Sequence, residues 1–182
     1  MNDLLVLSMM LAGPKHGYQL KHEASMIFGQ QALHNNIIYP LLRRFLDDGW
    51  VTKKEVPGER GQTRQQYALT AQGRRVLLER LNQFDESNAA SEDEFRFRAA
   101  LFELLSPESR EKILSLRESH LRALDQRMAA LEAEMDLGKY PGEVVRQMRE
   151  HIELEAKWIP RLRKLMKSDR KSEQKCDQRR SS

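Results

Sequence analysis

Residues 3–11, DLLVLSMML, are apolar almost throughout, which predicts a short, largely buried first helix. AGPKHG interrupts it with glycine and proline. In HGYQLKHEASMIFG, Tyr18, Leu20, Ala24 and Ile27 or Phe28 form an inward stripe that Gly29 ends, giving a second helix. HNNIIYPLLRRFLDDGW, residues 34–50, repeats Ile38, Leu42 and Phe45 at helical spacing and stops at Gly49. Pro40 lies within that repeat, and a mid-helix proline costs about 3 kcal/mol. In a first turn it loses nothing, because the first N–H groups have no intrahelical acceptor. The third helix is therefore expected to start close to Asn35 or Asn36, with an asparagine as cap and a phosphate-favouring N-terminal end.

After Gly49 the pattern changes. Trp50, Thr52, Tyr67 and Leu69 sit in β-favouring runs around the turn-rich PGERGQ, which predicts a two-stranded hairpin with a long polar tip. TAQGRRVLLERLNQF begins a fourth helix with Thr70 as N-cap. Three helices, a hairpin and a further helix in 1–84 is the order of a winged helix-turn-helix, in which the third helix enters the major groove and the hairpin reaches the adjacent backbone.

Residues 89–168 read as a helical domain. EDEFRFRAALFELL places Phe97, Leu101, Leu104 and Leu105 on one helical face, and Ser106 and Pro107 mark a restart. From about 107 to 137, Leu114, Leu121, Leu124, Met128, Leu131 and Met135 form a coiled-coil seam. After the turn LGKYPGE, Val145, Met148, Ile152, Ile159, Leu162 and Met166 continue it, with Glu155 as an interruption and Pro160 predicting a kink or break near 156. Residues 169–182 carry no apolar pattern and are expected to be disordered. Two long amphipathic helices leave surplus apolar surface, which a second copy of the chain best covers. Leu121, Leu124, Met128, Leu131, Met148 and Ile152 are the expected dimerisation residues. A two-fold dimer would set two recognition helices about one DNA turn apart, matching a palindromic site.

Composition narrows the class. With 40% hydrophobic and 32% charged residues, the 182-residue chain reads as a soluble, mainly α protein. No apolar run approaches the roughly 18 residues of a membrane span, and the apolar opening reads as a buried helix rather than a signal peptide. A single cysteine, Cys176, forbids an intrachain disulfide, so a reducing, cytoplasmic setting is expected. The net charge of +4 is placed unevenly: +4 over 1–84, −2 over 85–168 and +2 over 169–182. The basic front half mildly favours a polyanionic partner. The five histidines, 16, 22, 34, 120 and 151, show no ligand spacing, so neither metal nor cofactor is expected. No nucleophile elbow, Ser-His-Asp order or phosphate loop is visible, and no enzyme is expected.

Three motifs in order over residues 1–80 carry a resemblance: GPKHGYQL, IIYPLLRRFLDDG and TRQQYALTAQG. With these, the chain resembles the PadR family of bacterial transcription regulators. The acidic-aromatic EDEFRFRAALF and the late Trp158 fit the family's helical region more loosely. The resemblance implies a homodimeric, sequence-specific regulator, a repressor by expectation, with Tyr18 and Tyr39 donating to phosphates of double-stranded DNA. Asn35 and Asn36 divide between capping and reading adenine edges. Arg43 and Arg44 lie mid-helix, and one could pair only with Asp47 or Asp48. His16 reads as a cap or phosphate contact, Arg60 and Arg64 as wing contacts, and Lys54 as a weaker one beside Lys53. The resemblance also implies release by a small apolar or phenolic effector, with Phe97, Phe102 and Trp158 as candidate walls. The alternative is a winged-helix protein-interaction module whose helical region binds a partner chain, distinguished by its weak response to salt.

Overall fold

The computed structural model describes residues 1–28, 35–57 and 63–180, with the side chains of 27, 28, 35 and 169–180 left aside. The chain divides into two compact units, Met1–Gln83 and Phe84–Ser182.

In the first unit the elements are α1 (Asn2–Met9), β1 (Lys15–His16), α2 (Gly17–Phe28), α3 (Asn35–Asp47), β2 (Val51–Pro57), β3 (Thr63–Leu69) and α4 (Ala71–Asn82). A single 3-10 turn, Met10–Ala12, follows α1. Helix α1 is buried as its unbroken apolar run demands: Leu4, Leu5, Val6 and Leu7 join Leu20, Ile38, Leu42, Phe45, Leu77 and Leu81 of the other helices among the unit's buried residues. Asp3 anchors its start, 2.5 Å from Arg44 and 2.6 Å from Arg80. Arg44 is thus spent on α1, not on Asp47 or Asp48.

The hairpin becomes a three-stranded antiparallel sheet in the order β1-β3-β2. The third strand, Lys15–His16, falls where glycine and proline predicted only a break; two residues are too few for a periodic signal. Thr70 caps α4 as expected, accepting from the Gly73 N–H at 2.9 Å while its hydroxyl lies 2.8 Å from the Gly49 carbonyl oxygen. Gly73 has a reason beyond the turn. A Cβ there would stand 2.0 Å from the Trp50 carbonyl oxygen, so the Leu-Thr-x-x-Gly pattern lets α4 pass directly beneath the start of β2. Helix α3 begins at Asn35, which sets Pro40 in the second turn rather than the first. The start agrees with the sequence reading, but Pro40 is not in the first turn as that reading expects, and the Asn36 carbonyl cannot receive the usual bond from residue 40.

The second unit comprises α5 (Glu86–Ala90), α6 (Glu92–Ala99), a 3-10 turn at Phe102–Leu104, α7 (Pro107–Glu134) and α8 (Lys139–Arg180). Asp85 and Asn88 close α5 in a capping box, and Ser106 caps α7 with Pro107 at its first position. The helix expected over EDEFRFRAALFELL ends at Ala99, because the backbone turns at Ala100–Leu101 and buries Phe102 and Leu105 from a tight turn. Helices α7 and α8 run antiparallel, laced by Arg149 to Asp125 and Glu132 and by Arg163 to Glu111 and Glu118. Helix α8 passes through Pro160 without the expected break and continues to Arg180 where an unstructured tail was expected. Lys, Arg, Glu and Gln dominate that end, and all are good helix formers.

Glu155 explains its own interruption of the seam. It is 5% exposed and takes two parallel bonds from Arg117, itself 4% exposed, at 2.8 Å from Nε and 2.7 Å from Nη2. Arg117 also donates to the Ala89 carbonyl at 2.6 Å, joining α5, α7 and α8 at one buried point. Along the seam Leu121 and Ile152 are buried, Leu124, Met128 and Leu131 are half-buried, and Met148 is exposed.

Candidate nucleic-acid interface

Tyr18 and Tyr39 lie outward at the starts of α2 and α3, 72% and 49% exposed. What positions Tyr39 is Gly17. A Cβ at residue 17 would come within 3.1 Å of Tyr39 Cε1 and 3.4 Å of its hydroxyl oxygen, so the His-Gly-Tyr motif leaves room for the ring of the Tyr-Pro motif. Tyr67 of β3 stands buried nearby; burial first, then the Tyr39 hydroxyl, pushes its phenol above the ordinary tyrosine range, so it stays protonated.

His16 stands just before α2, at its N-cap position, with its ring turned to the sheet. Its backbone N–H donates to Gln19 Oε1 at 2.8 Å, the returning half of a capping box, and its Nδ1 lies 3.0 Å from the Gln65 carbonyl oxygen on β3. Sequence reasoning missed Gln19, although the three-residue spacing His16 to Gln19 was its visible signal. Strand register then brings three expected residues together. His16 and Lys54 both lie opposite Gln66, and Arg64 is two residues from Gln66, so by the pleat all three share one sheet face. His16, Tyr18, Gln19 and Arg64 line an open hollow of about 300 Å³. Asn36 and Arg43 are exposed on α3. Arg60, and the side chain of Asn35, lie outside the described residues.

Residues 6–79 match the transcriptional regulator PadR-like family. A PadR-family transcriptional regulator from Eggerthella lenta is 31% identical over 44% of this chain and 69% of its own length, with a TM-score of 0.40. A protein of Thermoplasma acidophilum described as a transcriptional regulator is also 31% identical, over 43% of this chain and 74% of its own, with a TM-score of 0.40. The chain belongs to the PadR-like family. Its first unit is accordingly a winged-helix DNA-binding domain, and the chain is a DNA-binding transcription regulator. Bacillus subtilis PadR, in a structure with operator DNA, is 18% identical over 90% of this chain and 98% of its own, with a TM-score of 0.45. No curated protein sequence matches the chain.

The effector walls expected from the family fall apart into two groups. Phe97 and Phe102 are buried in the second unit's own core. Trp158, edge-on to Phe95 at 5.6 Å, instead lines a hollow of about 340 Å³ with Arg96, His151, Leu154 and Arg161. Among the described residues no helix is long and apolar enough to cross a membrane.

Proposed function

We propose that this PadR-like regulator acts as a homodimeric repressor on a palindromic operator. The observation that supports the reading is the exposure of Tyr18 at the start of α2 and of Asn36 and Tyr39 in the N-terminal half of α3, with Arg43 exposed further along α3 and His16, Lys54 and Arg64 on one face of the sheet. The N-terminal end of α3 enters a major groove, where Asn36 meets base edges and Tyr39 the phosphates. Tyr18, Arg64 and Lys54 hold the backbone on either side, with Asn35 and Arg60 adding to these contacts. The two long helices supply the partner-facing surface: Leu124, Met128 and Leu131 are only half covered within one chain, and Met148 is exposed. A small apolar or phenolic effector that prefers the DNA-free conformation would release the operator by shifting that equilibrium, with Trp158 as its wall.

Selection of bound sequences from a random DNA pool, followed by gel shifts between about 50 and 200 mM salt, tests the assignment. Arg64→Ala is expected to weaken binding to every sequence and to reduce the salt slope by about one unit. Unchanged affinity and slope would remove the wing from the interface, and salt-insensitive binding would favour a protein partner.

A further inference from the structure

The second unit gathers three ligand-type side chains that sequence spacing did not bring together. His151 and Glu155 lie one turn apart on α8, and Glu92 opens α6. One ligand atom from each lies within 4.8 Å of the other two, and His151 Nε2 is 3.0 Å from Glu92 Oε1. We propose that Glu92, His151 and Glu155 form a site for a divalent ion of borderline hardness, for which zinc is the probe. One imidazole nitrogen and two carboxylate oxygens suit zinc or its first-row neighbours rather than magnesium, which prefers an all-oxygen octahedron.

The surroundings supply what such a site needs. A carboxylate offers about four lone-pair positions, and Arg117 uses one on each Glu155 oxygen, leaving the others available while fixing the group's orientation. A hydrogen-bonded ligating carboxylate is the usual outer support of a metal site. His151 and Glu155 also line the hollow beside Trp158, which leaves a coordination position open to water or to a small ligand. Two cations oppose the ion: Arg117 stays paired with Glu155, and Arg96 pairs with Glu92 and must yield its place for that oxygen of Glu92 to coordinate. Binding would displace the Glu92–Arg96 pair, replace the His151–Glu92 hydrogen bond with coordination by the neutral imidazole whose proton sits on Nδ1, and cross-link α6 to α8.

The test is zinc titration of the full-length, tag-free chain in a Cys176→Ser background, by calorimetry and melting, with magnesium as competitor. One zinc per chain is expected, with a raised melting temperature and no displacement by excess magnesium. His151→Gln and Glu92→Gln should each weaken binding by more than the roughly 10–100-fold that loss of an outer-shell partner costs. Arg96→Ala should tighten it, because it frees Glu92 and removes a like charge, an effect that no site elsewhere would show. Helix content by circular dichroism checks each variant, and if one variant unfolds the other two decide. Absence of stoichiometric zinc, magnesium displacement, or zinc affinity unmoved by these substitutions in folded protein would overturn the proposal.

Discussion

At the scale of single residues, the family motifs resolve into contacts. Gly17 supplies space rather than flexibility: a Cβ there would stand 3.1 Å from the Tyr39 ring.

 Gly17→Ala is therefore expected to push Tyr39 by a few tenths of an ångström. DNA affinity should fall by less than about tenfold, or about 1.4 kcal/mol, while chemical denaturation shows stability within about 0.5 kcal/mol of the parent. Unchanged affinity would mean that Tyr39 does not meet the nucleic acid. Asp3 gives a second test. Burial works to raise its carboxyl pKa, but the bonds from Arg44 and Arg80 outweigh it and hold the group below the ordinary aspartate range. A carboxylate depressed in the folded state stabilises fully above its unfolded pKa, about 3.9, and loses that contribution as pH falls through the folded value. Asp3→Asn should lower stability at about pH 6 and make little difference near pH 2 in urea unfolding. An equal gap at both pH values would show that the ion pair contributes nothing.

At the scale of elements, the buried Arg117–Glu155 pair decides how α5, α7 and α8 meet. Removing one partner of a buried pair strands the other charge, so Arg117→Met is expected to cost about 3–5 kcal/mol. The double variant Arg117→Met, Glu155→Leu should recover most of that loss, because apolar replacement of both partners is often neutral or better. Denaturant midpoints of the single and double variants measure it, and a double variant as unstable as the single would show that the bond to the Ala89 carbonyl dominates instead. The same pair shows why a break in an apolar seam is a poor guide by itself. Glu155 reads as a defect along α8 and becomes a specified contact only when α7 lies beside it.

At the scale of the whole molecule, the proposed dimer is the feature that turns one winged helix into an operator reader. Charges at Leu124 and Leu131 would sit on the half-covered seam, so Leu124→Glu with Leu131→Glu is expected to yield a single-chain mass by light scattering at concentrations where the parent is a dimer. Operator affinity should fall with it, since each chain then contributes only one half-site contact. A retained dimer would move the interface elsewhere on α7 and α8. The charge distribution fits the same division: the positive excess lies in residues 1–84, and 85–168 carry a net −2.

The sequence by itself determined the order of the four helices and the hairpin in residues 1–84, the inward stripe of α3, the caps at Thr70 and Ser106 and the restart at Pro107, because these depend on residues within about one helical turn of each other. It also carried the family motifs, which lie in one continuous stretch. Only the tertiary structure decided the third strand at Lys15–His16, the position of Pro40 relative to the helix start, the end of α6 at Ala99 and the burial of Phe97 and Phe102. It alone placed Glu155 against Arg117, 38 residues away, and His151 against Glu92, 59 residues away. Local propensity and periodicity act over a turn or a pleat, whereas such partners meet only after whole helices have packed, and no spacing along the chain encodes that meeting.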